Sequence, residues 1–316
     1  MPPLIEIKNL SKYFKVPAGL LHAVDHVSFT IEKGKTLGVV GESGCGKSTL
    51  GRTIIRLQES TDGHILLDGE DITHVTGKRL KDVRNKVQIV FQDPYSSLNP
   101  RLRIEETIKE PLRNSGKYPR SQLKERTSAL MNLVGIDARL RQSYPHELDG
   151  GRRQRVGIAR ALAVDPEFIV CDEPVSSLDV SIQAQVLNLL MDLQNQMGVT
   201  YMFVTHDLSV VRHISNDICV MYLGEVVEMC PSKELFSNSL HPYTKALLSA
   251  IPSLDIDQPL QPIPLKGELT SPINPKPGCR FFPRCPYAKG GCKQPLRLEE
   301  VSAKHFVACH RVREIN

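Results

Sequence analysis

The sequence predicts an α/β fold with a largely parallel sheet. Thr36–Val40 and Phe168–Cys171 are short apolar runs typical of buried strands. Amphipathic stretches typical of helices lie between runs of this kind, and strands that alternate with helices build a parallel sheet. A glycine-rich turn follows Thr36–Val40 directly and leads into helical sequence, as in a phosphate-binding strand–loop–helix unit.

The other elements follow from local periodicity and turn residues. Helices are expected at Leu50–Leu57 and at Ser181–Met197, where Gly198 ends the second helix. The stretch from Ile104 to Val164 has a helical pattern and is expected to form an inserted subdomain. Further strands are expected at Leu4–Asn9, Ala23–Ile31, His64–Leu67, Val87–Phe91, Tyr201–Val204 and Ile218–Tyr222.

Two domains are expected in this chain of 316 residues, at roughly 100–200 residues per domain. The larger spans residues 1–250 and contains the helical subdomain, at about 95–160. Seven prolines follow between Ile251 and Pro277, a density that breaks helices and disfavours interior strands. Residues 251–316 are therefore expected to form an extended tether followed by a small cysteine-rich domain.

Composition argues against several classes of protein. With 41% apolar and 24% charged residues, the chain is not mostly disordered. It has no tryptophan and only 5% aromatic residues, which argues against base stacking, and its net charge of +5 is too small to indicate nucleic acid. No window approaches the roughly 18 consecutive apolar residues of a membrane span, and the N-terminus lacks a secretory pattern. A cytosolic location is expected.

A phosphate site is predicted at Gly41–Thr49, which fits the pattern G-x-x-x-x-G-K-[ST] between a strand and a helix. Glycines let the backbone wrap until several N–H groups point at one anion, and the helix N-terminus adds partial positive charge. Lys47 is expected to reach the β- and γ-phosphates, and the Ser48 hydroxyl to coordinate Mg²⁺. The phosphate-binding residues expected in this loop are Gly41, Ser43, Gly44, Cys45, Gly46, Lys47, Ser48 and Thr49.

Asp172 and Glu173 end a buried apolar strand, and the carboxyl ends of strands are where α/β folds bind their ligands. Asp172 is expected to hold the water shell of the Mg²⁺. Glu173 follows directly and is placed to polarise the water that attacks the γ-phosphate. Together with the glycine-rich loop, this pair predicts a site that hydrolyses a nucleoside triphosphate.

A second anion site is predicted where Leu148–Arg155 opens a helix shortly before that strand. Gly150 and Gly151 lie at its N-terminus, too far along the chain to serve the phosphates of the first loop. Here the chain resembles the ATP-binding cassette (ABC) family, whose signature motif is Leu-Ser-Gly-Gly-Gln. The resemblance covers about residues 4–250 and implies a P-loop nucleotide-binding domain with an antiparallel β subdomain.

The resemblance also implies roles for residues of the remaining family motifs, which occur in order. Phe14 takes the place of the aromatic residue that stacks on adenine, with Tyr13 as the alternative. Gln92 matches the Q-loop, Asp179 the D-loop and His206 the switch histidine. The implied cofactors are ATP and Mg²⁺. The implied catalytic residues are Glu173, His206 and Gln92, and the implied Mg²⁺ ligands are Ser48, Gln92 and Asp172.

The signature motif departs from the family pattern at two of its positions, because Asp149 replaces serine and Arg152 replaces glutamine. In the family this motif, here Asp149, Gly150, Gly151 and Arg152, closes over ATP that the opposite subunit holds. A carboxylate facing a γ-phosphate is expected to repel it, unless Arg152 or Arg153 offsets the charge. The harm would fall on the partner's ATP site, since the phosphate loop of this chain is intact.

Four cysteines near the C-terminus form a candidate metal site. In a reducing compartment such a group indicates a metal rather than disulfides, and four thiolates suit zinc or an iron–sulfur cluster. Zinc sites favour closer cysteine pairs, but His305 and His310 are spare ligands that keep zinc as the alternative. The four cysteines are Cys279, Cys285, Cys292 and Cys309.

Residues 241–252 and 278–288 resemble the C-terminal extension of oligopeptide, dipeptide and nickel importer ATPases. This resemblance implies a [4Fe–4S] cluster on the four C-terminal cysteines. The cysteines elsewhere in the chain are expected to be small apolar fillers, and Cys45 in the phosphate loop is also expected to be prone to oxidation.

The resemblance implies an ATPase subunit that powers uptake of dipeptides or oligopeptides from the cytoplasmic face of the membrane, as a peripheral protein. Implied partners are a second, non-identical ABC ATPase, two transmembrane permeases docked through the Gln92 loop and the helical subdomain, and an extracytoplasmic peptide-binding protein. Nucleic acid is not expected. The alternative is a soluble ABC ATPase acting on nucleic acid or ribosomes; such proteins insert long coiled coils or carry two cassettes, and this sequence has neither.

Overall fold

The computed structural model describes residues 2–251, 262–267 and 270–316. Within them the strands are β1 Ile5–Val16, β2 Gly19–Ile31, β3 Thr36–Val40, β4 Asp62–Leu67, β5 Glu70–Asp71, β6 Val87–Val90, β7 Phe168–Asp172, β8 Thr200–Val204, β9 Asp217–Tyr222, β10 Glu225–Pro231, β11 Glu299–Ser302 and β12 His305–Val307. The helices are α1 Lys47–Ile54, α2 Gly77–Lys86, α3 Pro94–Ser97, α4 Ile104–Ser115, α5 Leu123–Leu133, α6 Gly150–Leu162, α7 Val180–Met197, α8 Leu208–Ile214, α9 Ser232–Ser237, α10 Pro242–Ser249 and α11 Val312–Ile315.

The first of two compact units is formed mainly by residues 32–35 and 74–204. Its strands β6, β7 and β8 are parallel, with β7 in the middle, as the alternation of strands and helices predicts. Every residue of β7 and β8 is buried, because strands of a parallel sheet are covered on both faces. Asp172 closes β7 in register with Val204 of β8. This edge carries the predicted acidic pair.

Helices α4, α5 and α6 make up most of the stretch predicted to be helical between Ile104 and Val164. Helix α4 buries Ile104, Ile108 and Leu112, which recur every four residues and so share one face. It packs against both α5 and α6. Helix α7 ends where Gly198 adopts a left-handed conformation with φ of 67°, which confirms the predicted stop.

The second unit is formed by residues 5–31, 36–73 and 205–316, as far as they are described. One antiparallel sheet in it has the strand order β2-β1-β4-β5. The other runs β11-β12-β10-β9-β3, in which β3 and β9 are parallel and the remaining pairs antiparallel. Strand β3 is buried throughout and ends at the glycine-rich loop.

C-terminal residues are part of this second sheet. Strand β12 pairs with β10, where Val307 lies opposite Glu228. The Glu228 carboxylate and the His305 imidazole are fully buried, with Oε1 and Nε2 2.8 Å apart. Of the tether expected after Ile251, Pro252 and Pro259 lie outside the described residues, and Ile273 forms an isolated bridge with Leu21 of β2.

Some elements differ from the sequence-based expectations. Helix α1 begins at Lys47 rather than Leu50, since it starts directly at the end of the phosphate loop. Strand β10 was not predicted. The turn before it consists of Leu223, with a φ of 45°, and Gly224, with a φ of 88°. Leucine is seldom found at a positive φ, so these two residues do not resemble a usual hairpin turn. In the part of the chain that the structure describes, no helix has the length and apolar character needed to cross a bilayer.

Candidate nucleotide site

The glycine-rich loop after β3 has a backbone that only glycine permits at two points. Gly41 and Gly46 have φ values of 150° and 105°. A Cβ on Gly46 would lie 1.9 Å from the carbonyl oxygen of Ala23, and one on Gly41 would lie 2.2 Å from that of Met221. The loop is therefore wrapped tightly between neighbouring strands, while Ser43 is exposed at its crest.

Lys47 folds back over this loop. Its side chain is 5% exposed, and its ammonium donates to the carbonyl oxygens of Gly41 at 2.8 Å and Glu42 at 3.0 Å. Lys47, Ser48 and Thr49 form the first turn of α1, whose N–H groups and dipole favour an anion. The arrangement is a cradle of N–H donors with one buried cation held beside it.

Cys45 is less reactive than its place in the loop suggested. Its thiol is buried, with 1% of the residue exposed, and burial raises its pKa although the Lys47 ammonium opposes this. The thiolate is the form that oxidises, so a buried thiol with a raised pKa resists oxidation. The expectation that Cys45 is prone to oxidation is therefore wrong for this conformation.

Tyr13 and Phe14, the two candidates for stacking on adenine, differ in the contacts that their rings already make. The Tyr13 hydroxyl donates to the Asp25 carboxylate, and its ring stacks on His22 with centroids 4.0 Å apart. Phe14 is half-buried, and the ammonium of Lys12 lies 4.9 Å from its ring centroid. One face of Tyr13 is thus occupied by His22, whereas the described ring contact of Phe14 is with the Lys12 side chain.

Asp172 and Glu173 stand at the carboxyl end of β7. Asp172 is 1% exposed, whereas Glu173 is half-buried and has a φ of 47°. The Glu173 amide donates to the carbonyl oxygen of Val204 at 2.9 Å, which fixes this left-handed residue. Gln92, which follows β6, donates from Nε2 to the Glu173 carboxylate at 3.1 Å. The structure therefore brings the side chains of Gln92 and Glu173 into contact after the ends of β6 and β7.

His206 lies beside the strand that carries the phosphate loop. The amide of Thr205 donates to the carbonyl oxygen of Val39 in β3 at 3.1 Å, and His206 follows with an exposed side chain. Asp207 then caps α8 by accepting from the amides of Ser209 and Val210. These contacts fix the backbone around the histidine and leave its imidazole at the surface.

Asp149 is the N-cap of α6, and its carboxylate is paired with Arg152, one of the two arginines expected to offset its charge. Its Oδ1 accepts from the amide of Arg152 at 2.8 Å, and its Oδ2 is 3.0 Å from the Arg152 guanidinium. Asp is among the preferred N-cap residues, as is the serine of the family motif. Arg153 instead donates to the carbonyl oxygens of Pro145 and His146. Arg152 is thus the arginine that offsets the charge.

The signature glycines pack against the segment that joins β7 to α7. A Cβ on Gly151 would lie 2.5 Å from Cγ2 of Ile182, and one on Gly150 would lie 3.1 Å from Leu178. Asp179 is the N-cap residue of α7 and follows Leu178. The predicted signature and D-loop motifs therefore meet inside one unit, held at van der Waals distance by the absence of side chains on the two glycines.

The four C-terminal cysteines line one cavity of about 20 Å³, together with His241 and Phe281. Burial raises the pKa of Cys279 to about 12, and the charges of the other three thiols add to this effect. Among the described residues, no three His, Cys, Asp or Glu side chains come together closely enough to hold a metal ion. His305 is paired with Glu228 instead, and His310 faces the carbonyl oxygen of Gln294 at 3.1 Å.

Known proteins share these features. A family model described as "ABC transporter" matches residues 24–176, and one described as "Oligopeptide/dipeptide transporter, C-terminal region" matches residues 227–292. The oligopeptide transport ATP-binding protein AppF of Bacillus subtilis (strain 168) is 50% identical, over 97% of this chain and 97% of its own. This chain belongs to the ATP-binding proteins of oligopeptide and dipeptide ABC transporters.

Further comparisons agree with that family. The oligopeptide transport ATP-binding protein OppF of Salmonella typhimurium (strain LT2) is 49% identical, over 97% of this chain and 93% of its own. The dimeric ATP-binding cassette MJ0796, solved in a post-hydrolysis state with ADP and Pi, superposes with a TM-score of 0.66 at 29% identity, over 72% of this chain and 98% of that one. The fold is that of a P-loop ABC ATPase, and the chain is an ATPase.

Sequence reasoning missed residues that hold the phosphate loop of this ATPase in place. Glu42 occupies a variable position of the loop pattern, yet its amide donates to the Tyr243 hydroxyl at 2.9 Å and its carboxylate accepts two bonds from Arg284. Asp25 is likewise bound by Arg280. No sequence signal within the loop points to these partners, because they lie 201 to 255 residues further along the chain.

Proposed function

We propose that this chain binds and hydrolyses ATP to power the uptake of dipeptides or oligopeptides through a membrane ABC importer. The observation that carries the proposal is the contact between Gln92 and Glu173 at the end of β7, in a chain that also keeps an intact phosphate loop. The geometry gives the carboxylate a partner that can orient water, as hydrolysis requires.

We assign the ATP-binding roles residue by residue. Lys47 neutralises the β- and γ-phosphates, and the N–H groups of the phosphate loop surround them. Glu173 polarises the attacking water, Gln92 orients it, and His206 contacts the γ-phosphate. The residues proposed to hold Mg²⁺ are Ser48, Gln92 and Asp172. The residues proposed to bind the phosphates of ATP are Gly41, Ser43, Gly44, Cys45, Gly46, Lys47, Ser48 and Thr49.

We assign adenine stacking to Phe14 rather than Tyr13. The Tyr13 ring is already stacked on His22 at 4.0 Å, and its hydroxyl is bound to Asp25. A base that stacked on Tyr13 would have to use the opposite face, while Phe14 needs only the displacement of the Lys12 side chain. Displacing the half-buried Lys12 side chain costs about 0.5–2 kcal/mol, the range of cation–π contacts between exposed and desolvated sites.

The signature residues Asp149, Gly150, Gly151 and Arg152, with Asp179 of the D-loop, are proposed to act on ATP that a second subunit holds. The exposed N-terminus of α6 supports this, since its N–H groups and dipole favour an anion. Arg152 supplies a cation that offsets the Asp149 carboxylate. We propose that the second subunit is a different ABC ATPase: in two copies of this chain both ATP sites would depend on Arg152 to offset Asp149, whereas a partner with serine at this position would complete the site built on Lys47 without that carboxylate.

The four C-terminal cysteines are proposed to hold a [4Fe–4S] cluster, with zinc as the alternative. Their position around one cavity supports a shared ligand. In a cluster each thiolate binds a different iron, so the sulfurs stand further apart than around one zinc ion, where each bond is about 2.3 Å. The four thiols around this cavity could supply the four ligands that either group requires. When bound, the cluster would supply cross-links that hold residues 279–309 folded.

Residues 1–250 are proposed as the nucleotide-binding domain, with the helical subdomain at about 95–160, and residues 251–316 as the tether and cysteine-rich domain. Proposed partners are two transmembrane permeases, which the helical subdomain and the Gln92 loop contact, and an extracytoplasmic peptide-binding protein that acts through them. The protein would then be peripheral, at the cytoplasmic face of the membrane. The names of the relatives, which are oligopeptide transport ATP-binding proteins, support the role in peptide transport.

Co-purification tests the proposal against the alternative of a soluble ABC ATPase that acts on nucleic acid or ribosomes. The full-length tagged protein would be isolated from its native cells in mild detergent, at moderate salt, and the bound proteins identified. We expect two permeases and a second ATPase in stoichiometric amounts. Ribosomal proteins or nucleic acid in their place would overturn the proposal.

A further inference from the structure

Two arginines beside the C-terminal cysteines bind elements of the nucleotide site. Arg280 follows Cys279 and Arg284 precedes Cys285, within the stretch that we call the cysteine segment, residues 278–292. The Arg284 side chain is largely buried and meets the Glu42 carboxylate with both terminal nitrogens, at 2.7 and 3.1 Å. Bidentate pairs of this kind fix orientation as well as charge.

Glu42 is the residue of the phosphate loop at which several contacts converge. Its amide donates to the buried Tyr243 hydroxyl at 2.9 Å, and its carbonyl oxygen accepts from the Lys47 ammonium at 3.0 Å. The ion pair with Arg284 holds the Glu42 carboxylate. Glu42 thus bonds to the Arg284 guanidinium through its carboxylate and to the Lys47 ammonium, proposed to reach the phosphates, through its carbonyl oxygen.

Arg280 makes a similar connection to strand β2, which pairs with the strand that carries Tyr13 and Phe14. Its guanidinium donates to the Asp25 carboxylate and to the carbonyl oxygen of Leu223, and its Nε lies 3.2 Å from Glu225. Burial raises the pKa of Asp25, but the bonds from Tyr13 and His22 and the charge of Arg280 outweigh it and leave the pKa below its usual value. Through Asp25 and the Tyr13 hydroxyl, strand β1 is therefore also connected to the cysteine segment.

We propose that Arg284 is a positioning residue for ATP: by holding Glu42 it keeps the phosphate loop in its binding conformation, so that the folded cysteine segment raises the affinity for ATP. The proposal rests on the assignment of the Lys47 loop as the ATP site. A loop that is already held loses less freedom when ATP binds, and its N–H groups need no reorientation. By linkage, bound ATP stabilises the cysteine segment in return.

The first test is a double-mutant cycle in the full-length protein, read as the Kd of a fluorescent ATP analogue with Mg²⁺. Arg284→Gln and Glu42→Gln should each raise Kd about tenfold, and the double variant should be no worse than either, because all three lack the same pair. If only charge mattered, Glu42→Gln would tighten binding, since it removes a negative charge near the phosphates. Tighter binding by Glu42→Gln, or additive effects, would overturn the proposal.

Matched variants separate positioning from general damage. Arg297→Gln removes an exposed charge from the C-terminal part of the chain and should leave Kd unchanged. Arg284→Lys keeps the charge but not the bidentate geometry and should fall between the wild type and Arg284→Gln. At saturating ATP, kcat should stay within about twofold while KM rises, because the residues acting on water are untouched. If Arg284→Gln does not fold, the half-exposed Glu42→Gln carries the test.

Amide hydrogen exchange supplies a readout independent of activity. In the wild type, ADP with Mg²⁺ should slow exchange in the cysteine segment, and in Glu42→Gln it should not. Lys47→Ala tests whether the loop that contains Lys47 is the ATP site, on which the proposal rests. If Lys47→Ala retains full affinity, the ATP site itself is wrongly assigned. If Lys47→Ala loses affinity while the Arg284 and Glu42 variants bind normally, the site stands and the positioning role fails.

Discussion

Single residues of the hydrolytic site are held by the backbone as much as by side chains. Glu173 has a φ of 47° and is fixed by its bond to Val204, while Gln92 contacts its carboxylate. Lys47 is held by the carbonyl oxygens of Gly41 and Glu42. The two charged residues therefore have separate tasks, and their loss should have different consequences.

Glu173→Gln should reduce turnover by about 10²–10⁴, the range typical of removing a general base, while ATP binding persists. Lys47→Ala should weaken binding itself, because the ammonium neutralises phosphate charge already in the bound ground state. Equilibrium binding of an ATP analogue and single-turnover hydrolysis would separate the two effects. An equal loss of nucleotide binding in both variants would contradict these roles.

The residues that make up the motifs could be predicted from the sequence, but the hydrogen bonds and ion pairs of their side chains could not. Spacing indicates that Lys47 and Ser48 follow a phosphate loop, since that pattern is local. It does not indicate that Asp149 accepts the Arg152 amide or that Arg284 holds Glu42. Those contacts depend on how distant parts of the chain pack, which a pattern of neighbouring residues does not encode.

At the scale of elements, the cap of α6 decides what Asp149 contributes. An N-cap side chain satisfies an N–H group that the helix leaves without a partner, and Asp and Ser do this about equally well. Asp149→Ala should therefore lower the free energy of unfolding by about 1 kcal/mol, and Asp149→Ser by only a few tenths. Urea denaturation of the isolated chain measures both. Equal destabilisation by Ala and Ser would show that the cap is not what Asp149 supplies.

Strands and helices were predictable in proportion to how local their signals are. Thr36–Val40 was predicted with the bounds that β3 has, because a continuous apolar run ends at a glycine-rich turn. Strand β10 was missed, although it carries the buried Glu228, and β12 pairs with it from about 80 residues further on. Besides the unusual turn before the strand, this charged residue interrupts the apolar pattern; its carboxylate is buried because His305 and the amides of Leu240 and His241 bind it.

For the whole molecule, the cysteine-rich part provides the most visible prediction. Anaerobically purified protein should be brown, with absorption that dithionite bleaches, and should contain iron and sulfide rather than zinc. Replacing Cys279 or Cys292 with serine should remove the colour. Replacing Cys219 or Cys230, buried in β9 and β10, should leave it. Colourless protein with one zinc per chain would show that zinc is the ligand instead.

The assembled transporter tests how Arg152 compensates for Asp149. In complexes whose copy of this chain carries Glu173→Gln, the remaining hydrolysis occurs at the partner's ATP site. Arg152→Gln should lower that rate by about tenfold, because a carboxylate near a phosphate is then uncompensated. Asp149→Ser together with Arg152→Gln should restore it. No recovery in the double variant would show that the aspartate itself is required.

The left-handed backbone at Glu173 places function and stability in opposition. A residue other than glycine in this region costs roughly 1 kcal/mol of folding free energy, and glycine would remove that cost. Selection for a robust fold alone would therefore drift toward glycine at this position, at the end of a strand that is otherwise fully buried. On the role proposed for Glu173, selection for hydrolysis retains glutamate there. In a copy of this gene released from transport, Glu173 is accordingly among the first residues expected to decay, and its loss would leave a more stable protein that binds ATP without consuming it.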